Sequence, residues 1–209
     1  MSTRKDICWR HSWGLIGSFL DPCPLPFEEF RGDDIVSAAL VFYDCEASGL
    51  DGFPIEIGWA FVDETANAIV SESHLVRPLP EWLADDRWDP VAEELHGITL
   101  PRLRREGRPV WEIAMRMNQA LAGRELVSDS AWDEGWVRQL FDGAGSEVDF
   151  TIRRIDADVL IRKLAIDRGM DPDAYEQAVL RASRLSPRQH RAEADARHLA
   201  TLWNVVSTV

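Results

Sequence analysis

Long apolar runs are missing from this 209-residue chain. No stretch approaches the roughly eighteen residues that a membrane span needs, so none is expected to cross a bilayer. The segment Trp13–Leu20, "WGLIGSFL", follows Arg4, Lys5 and Arg10 in loose imitation of a secretory signal. It is short and diluted by Gly14, Gly17 and Ser18, and "DPCPLP" follows it in place of a small-residue cleavage site. Cysteine is scarce as well. Cys8, Cys23 and Cys45 have neither the number nor the spacing of a disulfide framework or a zinc site, which makes a reducing cytoplasm the expected compartment. Positive charge is in deficit, with 23 Lys and Arg against 36 Asp and Glu, a net charge of −13 and a pI near 4.8. That balance excludes a broad basic surface for gripping nucleic acid, so a polyanionic substrate would have to be held locally by metal ions or a few arginines. Two arginine clusters stand out, Arg102, Arg104, Arg105 and Arg108, then Arg181, Arg184, Arg188 and Arg191. For either cluster alone, a solvated face is the ordinary outcome. Internal repeats and low-complexity tracts are absent too, which excludes a solenoid.

What remains is a chain 45% hydrophobic, its apolar residues spread throughout, long enough for one well-buried domain. Residues 1–36 are rich in Pro, Gly and aromatics without periodicity and read as an irregular extension; residues 37–209 read as the domain. "SAALVFYDCE" has the pattern of a buried strand. "PIEIGWAFVD" alternates Ile55, Ile57 and Trp59 with Glu56 and Gly58, and "AIVSESHLVRP" supplies a third strand, the three forming an antiparallel meander. Helices are expected at "DPVAEELHGIT" and at "TLPRLRREG", the latter with Thr99 as N-cap. "RPVWEIAMRMNQALAG" carries an apolar stripe of Val110, Ile113, Ala114, Met117 and Leu121. A strand at "RELVSD", a helix at "DEGWVRQLFDG" and a short strand near "VDFTI" come next. Helices at "DADVLIRKLAIDRG", "DPDAYEQAVLRA" and "EADARHLATLWNVV" complete the chain. The fold class is α/β, a mixed sheet of that meander followed by parallel strands, flanked by helices.

The chemistry gathers in three distant segments. On a strand, residues i and i+2 share a face, so Asp44 and Glu46 in "FYDCEASGL" point the same way while Cys45 points into the opposite layer. A hard divalent cation between two such carboxylates outweighs their repulsion. The pair alone leaves open a second reading, two acids solvated where the strand ends. Asp129 and Asp133 flank "SAW" after the fourth strand; taken alone, Asp133 is an ordinary N-terminal helix residue favoured by the macrodipole. "SPRQHRAEADARHLATLW" offers His190, Glu193, Asp195 and His198. His190 and Asp195 would lie about 140° apart on a regular helix, so they converge only if His190 sits on the loop before it. Four carboxylates and a histidine in this order suit two-metal hydrolysis of a phosphodiester.

With these residues in place, the sequence closely resembles the DEDDh, or DnaQ-like, 3′→5′ exonucleases of the ribonuclease H-like fold, over roughly Ala38–Val206. "YDCEASGLDGFPIEIGWAFVD" is similar to their first motif and "ELHGIT" to the His-Gly-Ile-Thr element between the first two motifs. "SDSAWDEGWVRQLF" resembles the second, and "HRAEADARHLATLW" the third. The resemblance implies a 3′→5′ exonuclease that releases nucleoside 5′-monophosphates from single-stranded 3′ ends of DNA or RNA, using two divalent ions, Mg2+ or Mn2+. It implies Asp44 bridging both ions, Glu46 and Asp195 on the first, Asp133 on the second, and His190 as general base. Ser48, Gly49 and Leu50 would meet the terminal nucleotide, Leu50 as a wedge, with His96 and Ile98 as further contributors. The second motif departs from the family's usual His-Asn-Ala-x-Phe-Asp: Ser128 stands for the His and Asp129 for the Asn. Two other readings share the residues, a non-catalytic module on the same fold that binds nucleic-acid ends or a protein, and a metal phosphatase acting on nucleotides.

Overall fold

The computed structural model describes residues 40–84 and 87–208, so the extension expected over residues 1–36 lies outside the described residues. Five strands form one sheet in the order β3-β2-β1-β4-β5. The chain runs β1 (Leu40–Ala47), β2 (Pro54–Asp63), β3 (Ala68–Leu75), α1 (Pro90–His96), α2 (Leu100–Glu106) and α3 (Val110–Leu121). It continues β4 (Glu125–Ser128), α4 (Asp133–Ala144), β5 (Thr151–Asp156), α5 (Ala157–Asp167), α6 (Pro172–Leu185) and α7 (Ala192–Ser207). A 3-10 turn at Pro80–Leu83 has no counterpart in the sequence reading. The first three strands are the antiparallel meander, and β4 and β5 join β1 in parallel. No helix among the described residues is long and apolar enough to cross a membrane.

Local chemistry explains the helix ends. The Asp89 carboxylate accepts from the Val91 amide and the Thr99 hydroxyl oxygen from the Arg102 amide, each cap worth about 1 kcal/mol. Gly97 closes α1 at φ 67°, a conformation natural to glycine. All five residues of the expected α3 stripe are buried.

The strand near "VDFTI" is displaced. Phe150 packs in the core beside Phe141 as part of the approach, and the strand is Thr151–Asp156. Its charged residues fit because β5 is the sheet's edge, where half the strand meets water.

The period of two along β1 sorts its side chains between two cores. Val41, Tyr43 and Cys45 join the layer containing Ile55, Ile57 and Trp59 under α3 and α4. Leu40 and Phe42 join the opposite layer with Ala60 and the face of α7 that carries Ala196, Leu199, Ala200 and Trp203. Asp44 and Glu46 continue the Leu40–Phe42 row, so the acids end a buried face turned toward α7. On β2 both faces are buried, because Glu56 and Gly58 lie under the start of α7.

Candidate metal centre

The strand register sets the acidic end of β1 in the middle of the sheet. Asp44 pairs across from Gly58 and Glu46 across from Glu56, while β4 runs parallel on the other side, Phe42 beside Val127. The loop after β4, which carries Asp129 and leads to Asp133 at the start of α4, therefore leaves the sheet at the same end. Helix α7 crosses the face to which Asp44 and Glu46 point. Asp44, Glu46 and Asp195 each offer a carboxylate oxygen within 4.8 Å of the others. Cys45 is buried on the opposite face, its thiol 3.9 Å from the Asp133 carbonyl, as packing requires.

Asp133, 1% exposed, begins α4 and adds its charge beside this trio without joining it. The Ser128 hydroxyl donates to its Oδ2, whereas its Oδ1 is buried without a hydrogen-bond partner. A buried, unpartnered carboxylate oxygen is costly, and a cation or its water would relieve it. Three clustered carboxylates and this fourth oxygen make an all-oxygen donor set, which suits hard divalent ions such as magnesium or manganese.

His190 lies on the loop before α7, half-buried, with φ 52°; among the described residues only Asn67 shares a positive φ outside glycine. The loop is drawn to the cluster by the Gln189 amide, which donates to Asp195 Oδ1 at 2.8 Å. Glu193 and His198 go elsewhere. Glu193 accepts from Ser71 at 2.8 Å, and His198 Nδ1 donates to the Ser186 carbonyl at 2.7 Å. Asp129 lies 2.6 Å from Arg188.

Ser48 is 1% exposed, its hydroxyl donating to the Arg87 carbonyl at 2.8 Å and accepting from the Phe53 amide. Its side chain therefore organises the turn, and the half-buried Gly49 and Leu50 are what this segment presents outward. The Asp89 amide donates to the Ser48 carbonyl at 2.7 Å, fastening the start of the 87–98 segment to the turn. His96 is buried, its Nδ1 accepting from the Ile98 amide, and burial holds its imidazole below the ordinary value. Ile98 is buried in the core.

Sequence reasoning passed over Glu56. It is 1% exposed and takes the Arg191 guanidinium on both oxygens, at 2.6 and 2.8 Å, together with the Ala192 amide. In sequence it stands only as the polar member of an alternating strand. The arginine clusters divide by their partners. Arg102 and Arg105 pair with Glu106 and Arg108 with Glu112, all on an ordinary charged face, whereas Arg188 and Arg191, themselves partly exposed, reach the more sheltered carboxylates of Asp129 and Glu56.

The crowding raises the acids. Burial first, then the charges of Asp195, Glu56 and Asp133, push Glu46 up to about 8, with Arg191 pulling the other way. Asp44 is raised well above the carboxylate range by burial and by Asp133, Glu46, Asp129 and Asp195. Burial and then Asp129 raise Asp133, opposed by the Ser128 and Ser130 hydroxyls. The sign for stability follows. An acid whose pKa rises on folding keeps a proton that the unfolded chain has lost, so its contribution is full below the ordinary value of 4.5 and is lost as pH climbs through about 8. In EDTA, the melting temperature is expected to fall from about pH 5.5 to about pH 8.5, and excess Mn2+ to raise it more at the upper pH, where the carboxylates are free to bind. Differential scanning calorimetry checks both trends; an Mn2+ effect no larger at the upper pH would contradict the linkage.

Neither a protein-family model nor a curated protein matches the sequence. Solved structures do. The chain is similar to Escherichia coli exonuclease I in a zinc-ion-bound complex with single-stranded DNA, at TM-score 0.57 and 19% identity, covering 81% of this chain and 40% of that one. It is similar to the same enzyme with a dA16 oligonucleotide, at TM-score 0.57 and 17% identity with the same coverage. With a dT13 oligonucleotide the values are 0.56 and 16%, over 81% and 41%. The chain thus spans about two fifths of the length of the exonuclease I chains it matches. At these identities the likeness is one of architecture, and it agrees with the strand order: the chain has the ribonuclease H-like fold.

Proposed function

We propose that this chain is a metal-dependent 3′→5′ exonuclease that removes nucleoside 5′-monophosphates from single-stranded 3′ ends of DNA or RNA. The observation that carries the reading is the convergence of Asp44, Glu46 and Asp195 within 4.8 Å at the end of the central strand. In this reading Asp44, Glu46 and Asp195 hold one divalent ion, Mg2+ or Mn2+. Asp44 and Asp133 hold a second, for which the unpartnered Oδ1 of Asp133 is the support. When bound, the ions supply charge stabilisation to the phosphodiester oxygens and make water more acidic.

The chain's own residues do the rest. His190, on its loop beside Asp195, takes the proton from the attacking water, a role suited to an imidazole near neutral pH. Gly49 and Leu50 border the terminal nucleotide, Leu50 as the apolar wedge beside its base. Ser48 holds that turn through its internal bonds, and His96 is a further contributor to the nucleotide's site. The acidic surface keeps affinity for long duplexes low and favours short, single-stranded ends.

The test is product analysis with 5′-labelled DNA and RNA oligonucleotides in Mn2+. The expected result is a ladder shortening from the 3′ end, with nucleoside 5′-monophosphates accumulating and the sugar preference shown by the faster polymer. Loss of the label in the earliest products would reverse the polarity. Bound metal without cleavage of either polymer would replace the reading with a nucleotide-sized substrate or a non-catalytic end-binding module.

A further inference from the structure

The segment Ser186–Arg191 between α6 and α7 is pinned along its length. The Ser186 carbonyl accepts from His198, the Arg188 guanidinium meets Asp129 at 2.6 Å, and the Gln189 amide donates to Asp195. Arg191 then forks onto Glu56, where the Ala192 amide also bonds. The two arginine partners lie on opposite sides of β1: Glu56 is on β2, and Asp129 follows β4. The segment thus straps across the acidic end of β1, an arginine anchoring each side and His190 between them.

The acidic half of each anchor is sheltered. The Asp129 side chain is 16% exposed and that of Glu56 is 2%, while Arg188 and Arg191 stay partly open to solvent, so each carboxylate depends on its arginine more than a surface acid would. Arg188 also feels Asp158 and Asp195, which makes it a counter-ion shared by α5, α7 and the loop after β4. Asp129 is paired in this way and is not among the clustered oxygens of Asp44, Glu46 and Asp195, although Asp44 still feels its charge.

We propose that Arg188 and Asp129 form a positioning pair that, with Arg191–Glu56 as the opposite anchor, fixes the 186–191 strap so that His190 and Asp195 stay over the β1 carboxylates. The kinetic part of this proposal rests on the exonuclease reading above. Misplacing a reacting group by about 1 Å costs on the order of a hundredfold in rate, so loosening one anchor should register in kcat before KM.

The experiment compares wild type with Arg188→Gln, Arg188→Lys, Asp129→Asn and the double variant Arg188→Gln/Asp129→Asn. It measures kcat and KM on a labelled oligonucleotide in Mn2+, and amide hydrogen exchange over residues 186–192. Arg188→Gln is expected to lower kcat about tenfold or more with KM within about threefold, and to speed exchange in the strap. Arg188→Lys should recover part of kcat, and the double variant should be no worse than Arg188→Gln, because the two residues act as one unit. Unchanged kcat overturns the proposal, and so does a raised KM with kcat intact, which would make Arg188 a substrate contact. If Arg188→Gln fails to fold, Arg188→Lys and Asp129→Asn carry the same comparison. Should wild type prove inert on every oligonucleotide, the exonuclease reading fails and exchange alone decides the strap: faster exchange in the variants upholds it, and unchanged exchange overturns it.

Discussion

Asp44→Asn is expected to lower the rate of oligonucleotide hydrolysis by about a thousandfold or more while the domain stays folded, each tenfold loss standing for about 1.4 kcal/mol of transition-state stabilisation. Asparagine keeps the shape of the side chain and removes the charge that both proposed ions share. The same change takes one carboxylate out of a cluster in which Asp133, Glu46, Asp129 and Asp195 all act on Asp44. In EDTA near pH 8, where repulsion in the cluster is greatest, the variant should therefore melt higher than wild type, and the stabilisation by Mn2+ should shrink. Initial rates and calorimetry on the same preparations check the two halves. A variant that keeps full activity ends the assignment of Asp44. One that is both inactive and less stable in EDTA gives the residue a structural role instead.

Gly58→Ala should be among the most destabilising single changes in the chain. A Cβ there would lie 2.4 Å from the Ala192 carbonyl carbon and from the Glu193 amide nitrogen, with the Ala192 oxygen at 2.7 Å. These are backbone atoms and cannot rotate aside, so either β2 or the start of α7 must move. Overpacking of this kind costs about 3 kcal/mol or more when nothing flexible can yield. In a chain of this size that corresponds to a fall in melting temperature of roughly 6–12 °C. Because the displaced turn of α7 carries Asp195 and follows His190, activity measured well below the new melting temperature should fall as well. A shift of only a degree or two would show that α7 sits less closely on β2 than the structure has it.

Much of this was legible in the sequence, and for local reasons. The meander, the α3 stripe and the cap at Thr99 follow from periodicity and from side chains that act within four residues of themselves. The convergence of Asp44 with Glu46 was readable because a strand's period is two, and the loop position of His190 because the helix geometry otherwise kept it from Asp195. β5 was misplaced because Phe150 looks like a strand residue and fills the core from outside the strand, while the real strand is charged at an edge. Glu56 and Arg191 are 135 residues apart, and Asp129 and Arg188 are likewise distant, so no spacing rule joins either pair. The burial that gives Glu56 its importance comes from α7 crossing β2, a tertiary fact. Ser48 shows the limit of a motif: the resemblance implies a substrate contact, whereas its hydroxyl is committed to the Arg87 carbonyl and the Phe53 amide.

The central claim is that the Asp44, Glu46 and Asp195 cluster binds a divalent ion on which nuclease activity depends. The most direct test titrates Mn2+ into the metal-free protein, with binding followed by calorimetry and hydrolysis of a 5′-labelled single strand followed in the same buffer. The account predicts that activity is absent in EDTA and rises with occupancy of the site, and that Asp195→Asn weakens binding and activity together. Hydrolysis that persists in EDTA, or that proceeds unchanged in Asp195→Asn after its metal binding is lost, would contradict it.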